Sequence, residues 1–231
     1  MVDLLVLDES VGPTAATQPV TSFGGLPAVP GGTAFAWPRC DDVCDEPMQY
    51  IGKVVDPNAP AEAPRLVLLF LCANPDTLGG CETWDAEAGA NAAILVPAAT
   101  ALETVPAPPE GVTTRDTFYG TRVESFEIPE RAVDPDFDTR ADDYGDAVLA
   151  WRAAHPGEPD DRKVLGTWGG EPAWLQWPEP PSCPSCDAPM ALVANLEEGP
   201  GHRTDANFGG GRGHLFSCAC AQPAARFLWQ Q

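Results

Sequence analysis

Two stretches of the chain carry nearly the same residues, and this duplication limits what it can fold into. The first runs Cys40-Asp41-Asp42-Val43-Cys44-Asp45-Glu46-Pro47-Met48; the second runs Cys183-Pro184-Ser185-Cys186-Asp187-Ala188-Pro189-Met190. Each sits in the same larger frame. Upstream lie Gly24-Gly25-Leu26-Pro27-Ala28 and Gly169-Gly170-Glu171-Pro172-Ala173, then Trp37-Pro38 and Trp177-Pro178. Downstream, Leu69-Phe70-Leu71-Cys72 and Leu215-Phe216-Ser217-Cys218 each close an apolar run on a cysteine, with Cys81 and Cys220 beyond. An internal repeat of this kind predicts two copies of one supersecondary unit.

The cysteines divide evenly between the copies. Two close thiols, a gap of roughly thirty residues and two more thiols is the spacing of a structural zinc site, in which a short turn supplies two thiolates and a returning strand the rest. The expected ligand sets are Cys40, Cys44, Cys72 and Cys81 for one Zn²⁺, and Cys183, Cys186, Cys218 and Cys220 for the other. The second knuckle has the tighter spacing; in the first, Cys81 follows Cys72 after a longer loop. Free thiols and disulfides are the alternatives. The N-terminal residues lack the basic segment and long apolar run of a signal peptide, and no stretch has the length of a membrane span. The expectation is therefore a soluble, cytoplasmic protein whose cysteines stay reduced, which favours metal over disulfide.

The net charge of −21 over 231 residues argues against nucleic acid or an anionic membrane as partner, because phosphates would be repelled. It permits a basic client. Compositional bias is the competing explanation: only two of the 13 basic residues are lysine.

Pro- and Gly-rich sequence around the knuckles excludes long helices. Strands are predicted over residues 49–55, 66–71, 91–96, 121–128, 191–196, 214–218 and 226–230, with 66–71 buried on both faces and a possible bulge at Ser125. Residues 2–7 are expected at a sheet edge, and 14–22 form a linker. Residues 140–154 read as the single clear helix, capped by Asp138 or Thr139, with Tyr144, Val148 and Trp151 as its buried stripe. The predicted fold is mostly β (α+β). It comprises an N-terminal half (1–107), an acidic insertion carrying the helix (108–163) and a C-terminal half (164–231), with the two pseudo-symmetric halves packed as one unit.

The set Gly-Gly-x-Pro-Ala, cysteine pair, Pro-Met and Leu-Phe-x-Cys resembles the zinc-binding repeats of the programmed-cell-death-2 and ribosome-maturation family. Residues 165–176, Leu-Gly-Thr-Trp-Gly-Gly-Glu-Pro-Ala-Trp-Leu-Gln, and the Trp-Gln near the C-terminus also resemble the YwqG-like bacterial family. The bacterial resemblance implies a two-half β fold with no assigned activity. The eukaryotic one implies a dedicated chaperone for a basic ribosomal protein. The sequence departs from both patterns at Gly52-Lys53 and in the stretched spacing to Cys81, so only the cysteines and the glycine frame carry over.

No catalytic constellation stands out. His155 ends the helix, His202 lies in a Gly-rich loop and His214 on a strand; none falls in a zincin helix or beside a nucleophile elbow. His202 or His214 is an alternative metal ligand. The sequence therefore points to a monomeric, non-catalytic, zinc-stabilised protein-binding module, a chaperone or adaptor for a basic protein. The alternatives are an enzyme with a pocket between the halves near His202 or His214, and a structural component of a bacterial system.

Overall fold

The computed structural model describes residues 1–74, 80–98, 101–129, 137–158, 161–201 and 206–231, with the backbone alone over 137–142 and at 161. It is mostly β with one α-helix. The strands are β1 (Val2–Asp8), β2 (Ser22–Phe23), β3 (Ala28–Pro30), β4 (Gln49–Val55), β5 (Arg65–Leu71), β6 (Asn91–Pro97), β7 (Leu102–Thr104) and β8 (Tyr119–Phe126). Helix α1 (Phe137–Ala154) follows, then β9 (Val164–Trp168), β10 (Ala191–Leu196), β11 (Arg212–Ser217) and β12 (Ala225–Gln230).

Ten strands form one antiparallel sheet in the order β12-β11-β10-β9-β1-β8-β2-β4-β5-β6, and β3 pairs separately with β7. Read from its two edges, the sheet is a palindrome. β6-β5-β4-β2 and β12-β11-β10-β9 are the two copies of the repeat. At the centre, β1 pairs with β8 over its whole length, from Val2↔Phe126 to Asp8↔Gly120, with Leu5 opposite Val123 at the midpoint. β1 also pairs with β9, in the far half, and β8 with β2. The C-terminal copy thus takes its innermost neighbour, β1, from the N-terminal stretch, while β8 comes from the segment between the copies.

The expected edge position of residues 2–7 is corrected by this pairing. β1 has neighbours on both sides, and its Leu4, Leu5 and Val6 are fully buried. An apolar run reads alike at an edge or a centre; long-range pairing decides which. The possible bulge at Ser125 is also absent from the β1–β8 ladder, whose register is continuous. Bulges lie instead at equivalent places in the two halves: Ile51 is the extra residue of β4 against β5, and Val193 of β10 against β11. Residues 14–22 include a 3-10 helix, Pro13–Thr17, as well as the start of β2.

The sheet curls until its edge strands β6 and β12 meet without forming a ladder. Alternation then sorts side chains onto two faces. Val67, Leu69 and Leu71 of β5 point inward with Leu5, Phe23, Val54, Val193, Leu215 and Phe227, filling the interior. Leu66, Leu68 and Phe70 point outward beneath β3, β7 and the first knuckle. Leu192, Phe216 and Leu228 lie beneath the second knuckle. Leu4, Val6 and Val164 are covered by Ala147 and Trp151 of α1, with Tyr144 and Val148 beside them, which is the stripe read from the sequence. The helix begins at Phe137, so Asp138 and Thr139 fall in its first turn, where side chains lie outside the described residues.

Polar contacts close the barrel between the halves. The β4–β5 turn reaches the second half through Asp56, whose Oδ1 accepts from Ser217 Oγ (2.8 Å) while its Oδ2 pairs with Arg65 (2.8 Å). Asn58 Nδ2 donates to the carbonyl of Leu192 (3.0 Å), and Trp168 Nε1 to that of Val55 (2.7 Å). At the seam, Trp229 donates its amide to Trp84 O (3.2 Å) and its indole N–H to Thr83 Oγ1 (3.1 Å). Asp56 is buried and Arg65 nearly so. Removing one member of such a pair leaves an uncompensated charge, so Asp56→Ala should cost about 3–5 kcal/mol in equilibrium urea unfolding, against under about 1 kcal/mol for an exposed carboxylate such as Glu62.

Candidate metal centres

Each knuckle hangs from the start of the bulged strand of its half, and the two are built alike down to individual hydrogen bonds. Cys40 N donates to Glu46 O and Cys183 N to Ala188 O, both at 2.9 Å. Met48 N donates to Pro38 O and Met190 N to Pro181 O, both at 3.0 Å. Isolated bridges join Arg39 to Pro47 and Ser182 to Pro189. Asp45 and Asp187, each directly after a cysteine pair, adopt left-handed backbone with φ of 51° and 61°. Asp is among the few residues that tolerate this conformation, and it turns the chain back under the thiols.

The returning cysteines are held the same way. Cys72 N donates to Ala90 O (2.8 Å) and Cys218 N to Ala224 O (2.9 Å). The double glycines tie each bulge to its neighbouring strand: Gly24 N reaches Ile51 O and Gly169 N reaches Val193 O, both at 2.8 Å. Gly24 must be glycine, since its φ is +76° and a Cβ there would lie 1.8 Å from Thr117 O.

These elements bring Sγ of Cys40, Cys44, Cys72 and Cys81 within 4.8 Å of one another, and likewise those of Cys183, Cys186, Cys218 and Cys220. Cys44 and Cys72 are 3.5 Å apart, Cys183 and Cys220 3.8 Å, and Cys186 and Cys218 3.6 Å. Sulfurs at tetrahedral corners around an ion about 2.3 Å away would be about 3.8 Å apart, whereas a disulfide needs about 2.05 Å. Both quartets therefore fit a shared metal ion and not a disulfide. The long loop before Cys81 does not keep it from the other three. Cys40, Cys81 and Cys183 are buried, whereas Cys186 of the second quartet is exposed.

Four thiols this close cannot all ionise without a cation. Burial pushes Cys72 up, and burial raises Cys81. In the second cluster the Ser185 amide leads in drawing Cys183 down to about 7. A divalent ion at the centre would replace the protons and offset two of the four thiolate charges.

The histidines stand apart from both quartets. His155 Nδ1 lies 2.9 Å from Trp151 O, its ring stacks on Trp151, and Glu124 is 3.5 Å from its Nε2. His202 lies outside the described residues. His214 is fully buried against Trp174, at 4.6 Å between ring centroids. Its Nδ1 is 2.9 Å from Asn195 Oδ1, which also accepts from Ala173 N, so Nδ1 carries the proton. Asn195 holds the place that Lys53 has in the first half: Asn195 faces Thr167 across its ladder, and Lys53 faces Ser22. Lys53 Nζ caps the 3-10 helix, donating to Ala15 O (3.1 Å) and Gln18 O (2.6 Å), and burial brings it down to about 8. The sequence pointed to Gly52-Lys53 as a departure from the family pattern but held no sign of what the lysine does.

A separate cavity of about 860 Å³ lies between α1 and the loop before β11. Arg212 on its wall is held by Glu197 (3.0 Å) and Ala173 O (2.9 Å) and lies 4.4 Å above the Tyr144 ring.

No family model matches the chain, and no curated protein matches it. Among the described residues, no helix is long and apolar enough to cross a membrane.

Burial, with Arg212 adding to it, brings His214 down to about 3. The unfolded chain would then take up a proton near pH 6.5 that the folded chain refuses until about pH 3. Stability from this group is full above about pH 6.5 and falls by about 1.4 kcal/mol per unit as pH drops through that window. His214→Leu, matching Leu68 at the equivalent place in β5, should flatten this part of the acid limb when melting temperature is followed from pH 7 to 4.

Proposed function

We propose that the chain is a protein-binding module of two related halves, each held by one tetrathiolate zinc ion, and that its client is a basic protein. The observation that carries the metal assignment is the duplicated four-sulfur geometry, with contacts of 3.5–3.8 Å in two independently positioned quartets. An all-thiolate donor set is the usual choice for zinc in a structural role. With four protein ligands the ion keeps no open position for water or substrate, so it ties loops together and performs no chemistry. Cys40, Cys44, Cys72 and Cys81 would hold one ion, and Cys183, Cys186, Cys218 and Cys220 the other.

Two considerations support the client. The surplus of 34 acidic over 13 basic residues favours a cationic partner and speeds its approach. The glycine frame and cysteine pattern resemble those of the programmed-cell-death-2 and ribosome-maturation repeats, whose members imply chaperoning of a basic ribosomal protein, and of the YwqG-like proteins.

Protein purified without added metal should carry two zinc ions per chain, one for each quartet. Cys186→Ser should reduce this to one and lower the melting temperature, and a strong chelator should lower it further; metal-free protein with an unchanged melting curve would refute the structural role. Used as bait at low salt, the zinc-loaded chain should enrich a basic protein that elutes as ionic strength rises. A bait that retains nothing at low salt would remove the client from the proposal.

A further inference from the structure

We infer that Cys186 is a site of oxidation: a hydroperoxide joins it to Cys218 and frees the metal of the second half, while the first half keeps its own. The inference rests on reading both quartets as zinc sites and adds a chemical difference between them.

The two quartets share a backbone frame but not their surroundings. In the first, Cys40 and Cys81 are buried, and Cys44 and Cys72 pack against the same apolar cluster. In the second, Cys183 is buried, and Cys218 and Cys220 pack against a smaller cluster. Cys186 belongs to neither. Of the eight cysteines it alone is exposed, and it alone has no place against an apolar cluster.

Flanking segments make the difference. Residues 82–90, between Cys81 and β6, fold back against the first knuckle: Glu82 N donates to Asp42 Oδ2 (2.7 Å) and Asp41 N to Gly89 O (2.9 Å). A second segment also abuts it, with Glu110 3.6 Å from Arg39, and Gly111 so close that a Cβ there would lie 3.3 Å from Pro47 Cδ. Exposed residues therefore alternate with covered ones from Asp41 onward, ending on buried Pro47. In the second half only residues 221–224 separate Cys220 from β12. A stretch that short cannot reach back across the knuckle. Residues 184–189 are exposed throughout.

Zinc keeps its cysteines deprotonated, and the thiolate is the form that attacks a peroxide. Cys186 Sγ takes one oxygen of the hydroperoxide, becoming a sulfenic acid, and the O–O bond breaks to release an alcohol, or water from hydrogen peroxide. Cys218 Sγ, 3.6 Å away, then attacks the Cys186 sulfur and displaces hydroxide. Two thiolates, one hydroperoxide and two protons become one disulfide, one alcohol and one water; the two sulfurs supply the two electrons. Closing the bond brings the sulfurs to about 2.05 Å, a movement the exposed turn at 184–189 accommodates. The ion is left with Cys183 and Cys220, too few for a closed site, and departs. With it goes the tie on the loop over Phe216.

The test treats the zinc-loaded full-length chain with hydrogen peroxide beside a colorimetric zinc indicator, then maps its cysteines by mass spectrometry without reduction. One ion should leave at least about tenfold faster than the other, because susceptibility follows exposure. The product should carry a Cys186–Cys218 disulfide, and a thiol reductant with added zinc should restore the second ion. A brief pulse of iodoacetamide should label Cys186 ahead of the other cysteines. Cys186→Ser should keep its single remaining ion through the same peroxide dose. Loss of both ions at one rate, no loss of either, a disulfide that omits Cys186 or Cys218, or rapid release from Cys186→Ser would each overturn the inference alone. A chain that holds no zinc before treatment overturns the metal reading itself.

Discussion

The ladder between β1 and β8 holds the rest of the molecule together. It runs without a register break from Val2↔Phe126 to Asp8↔Gly120, and on their other sides β1 pairs with β9 of the C-terminal copy and β8 with β2 of the N-terminal one. Without it the chain would be two four-stranded sheets, each with an extra unpaired edge. With it there is one ten-stranded sheet, long enough to curl until β6 meets β12, and its inner face becomes a single core. The outer face is then left as separate patches, each needing its own cover. The helix covers the patch around Leu4, Val6 and Val164, and the two knuckles cover those around Phe70 and Phe216.

This layout explains where the cysteines are. A knuckle is a short loop with little apolar surface of its own, and burial contributes only about 25 cal/mol per Å² of apolar area. Four sulfurs sharing one ion would hold such a loop far more firmly than its own contacts. The bulges at Ile51 and Val193 take part as well. Each places an extra residue where its carbonyl can receive the amide of the first glycine, which ties β2 or β9 to the strand that starts at the knuckle.

The halves differ where they meet solvent. The first is closed by β7, Phe35 and Trp37, and its buried outer cluster is twice the size of the second's: twelve buried residues against six. The second keeps the frame and buries a smaller patch, under Trp174 and its own knuckle. The buried polar positions diverged too, Lys53 capping a helix in one half and Asn195 orienting His214 in the other.

Much of this was readable from residue order alone, for local reasons. Strands 49–55, 91–96, 191–196 and 226–230 follow from alternation and from flanking Pro and Gly; the buried stripe of α1 follows from Tyr144, Val148 and Trp151 at helical spacing; and the two cysteine quartets follow from spacing within each repeat. The match of Trp177 with Trp37 failed because a Trp-Pro pair records composition, while the three extra residues before Cys183 carry the indole out to solvent. The central place of β1, its pairing with β9 and the inter-half contacts of Asp56 with Ser217 and Trp168 with Val55 were beyond reach. They join residues more than a hundred positions apart, and the free energy that selects them arises only when both halves bury the same core. Residue order settles which segments are strands and which thiols can share an ion; the closing of the sheet settles which strand is central and which side chains share the inner core.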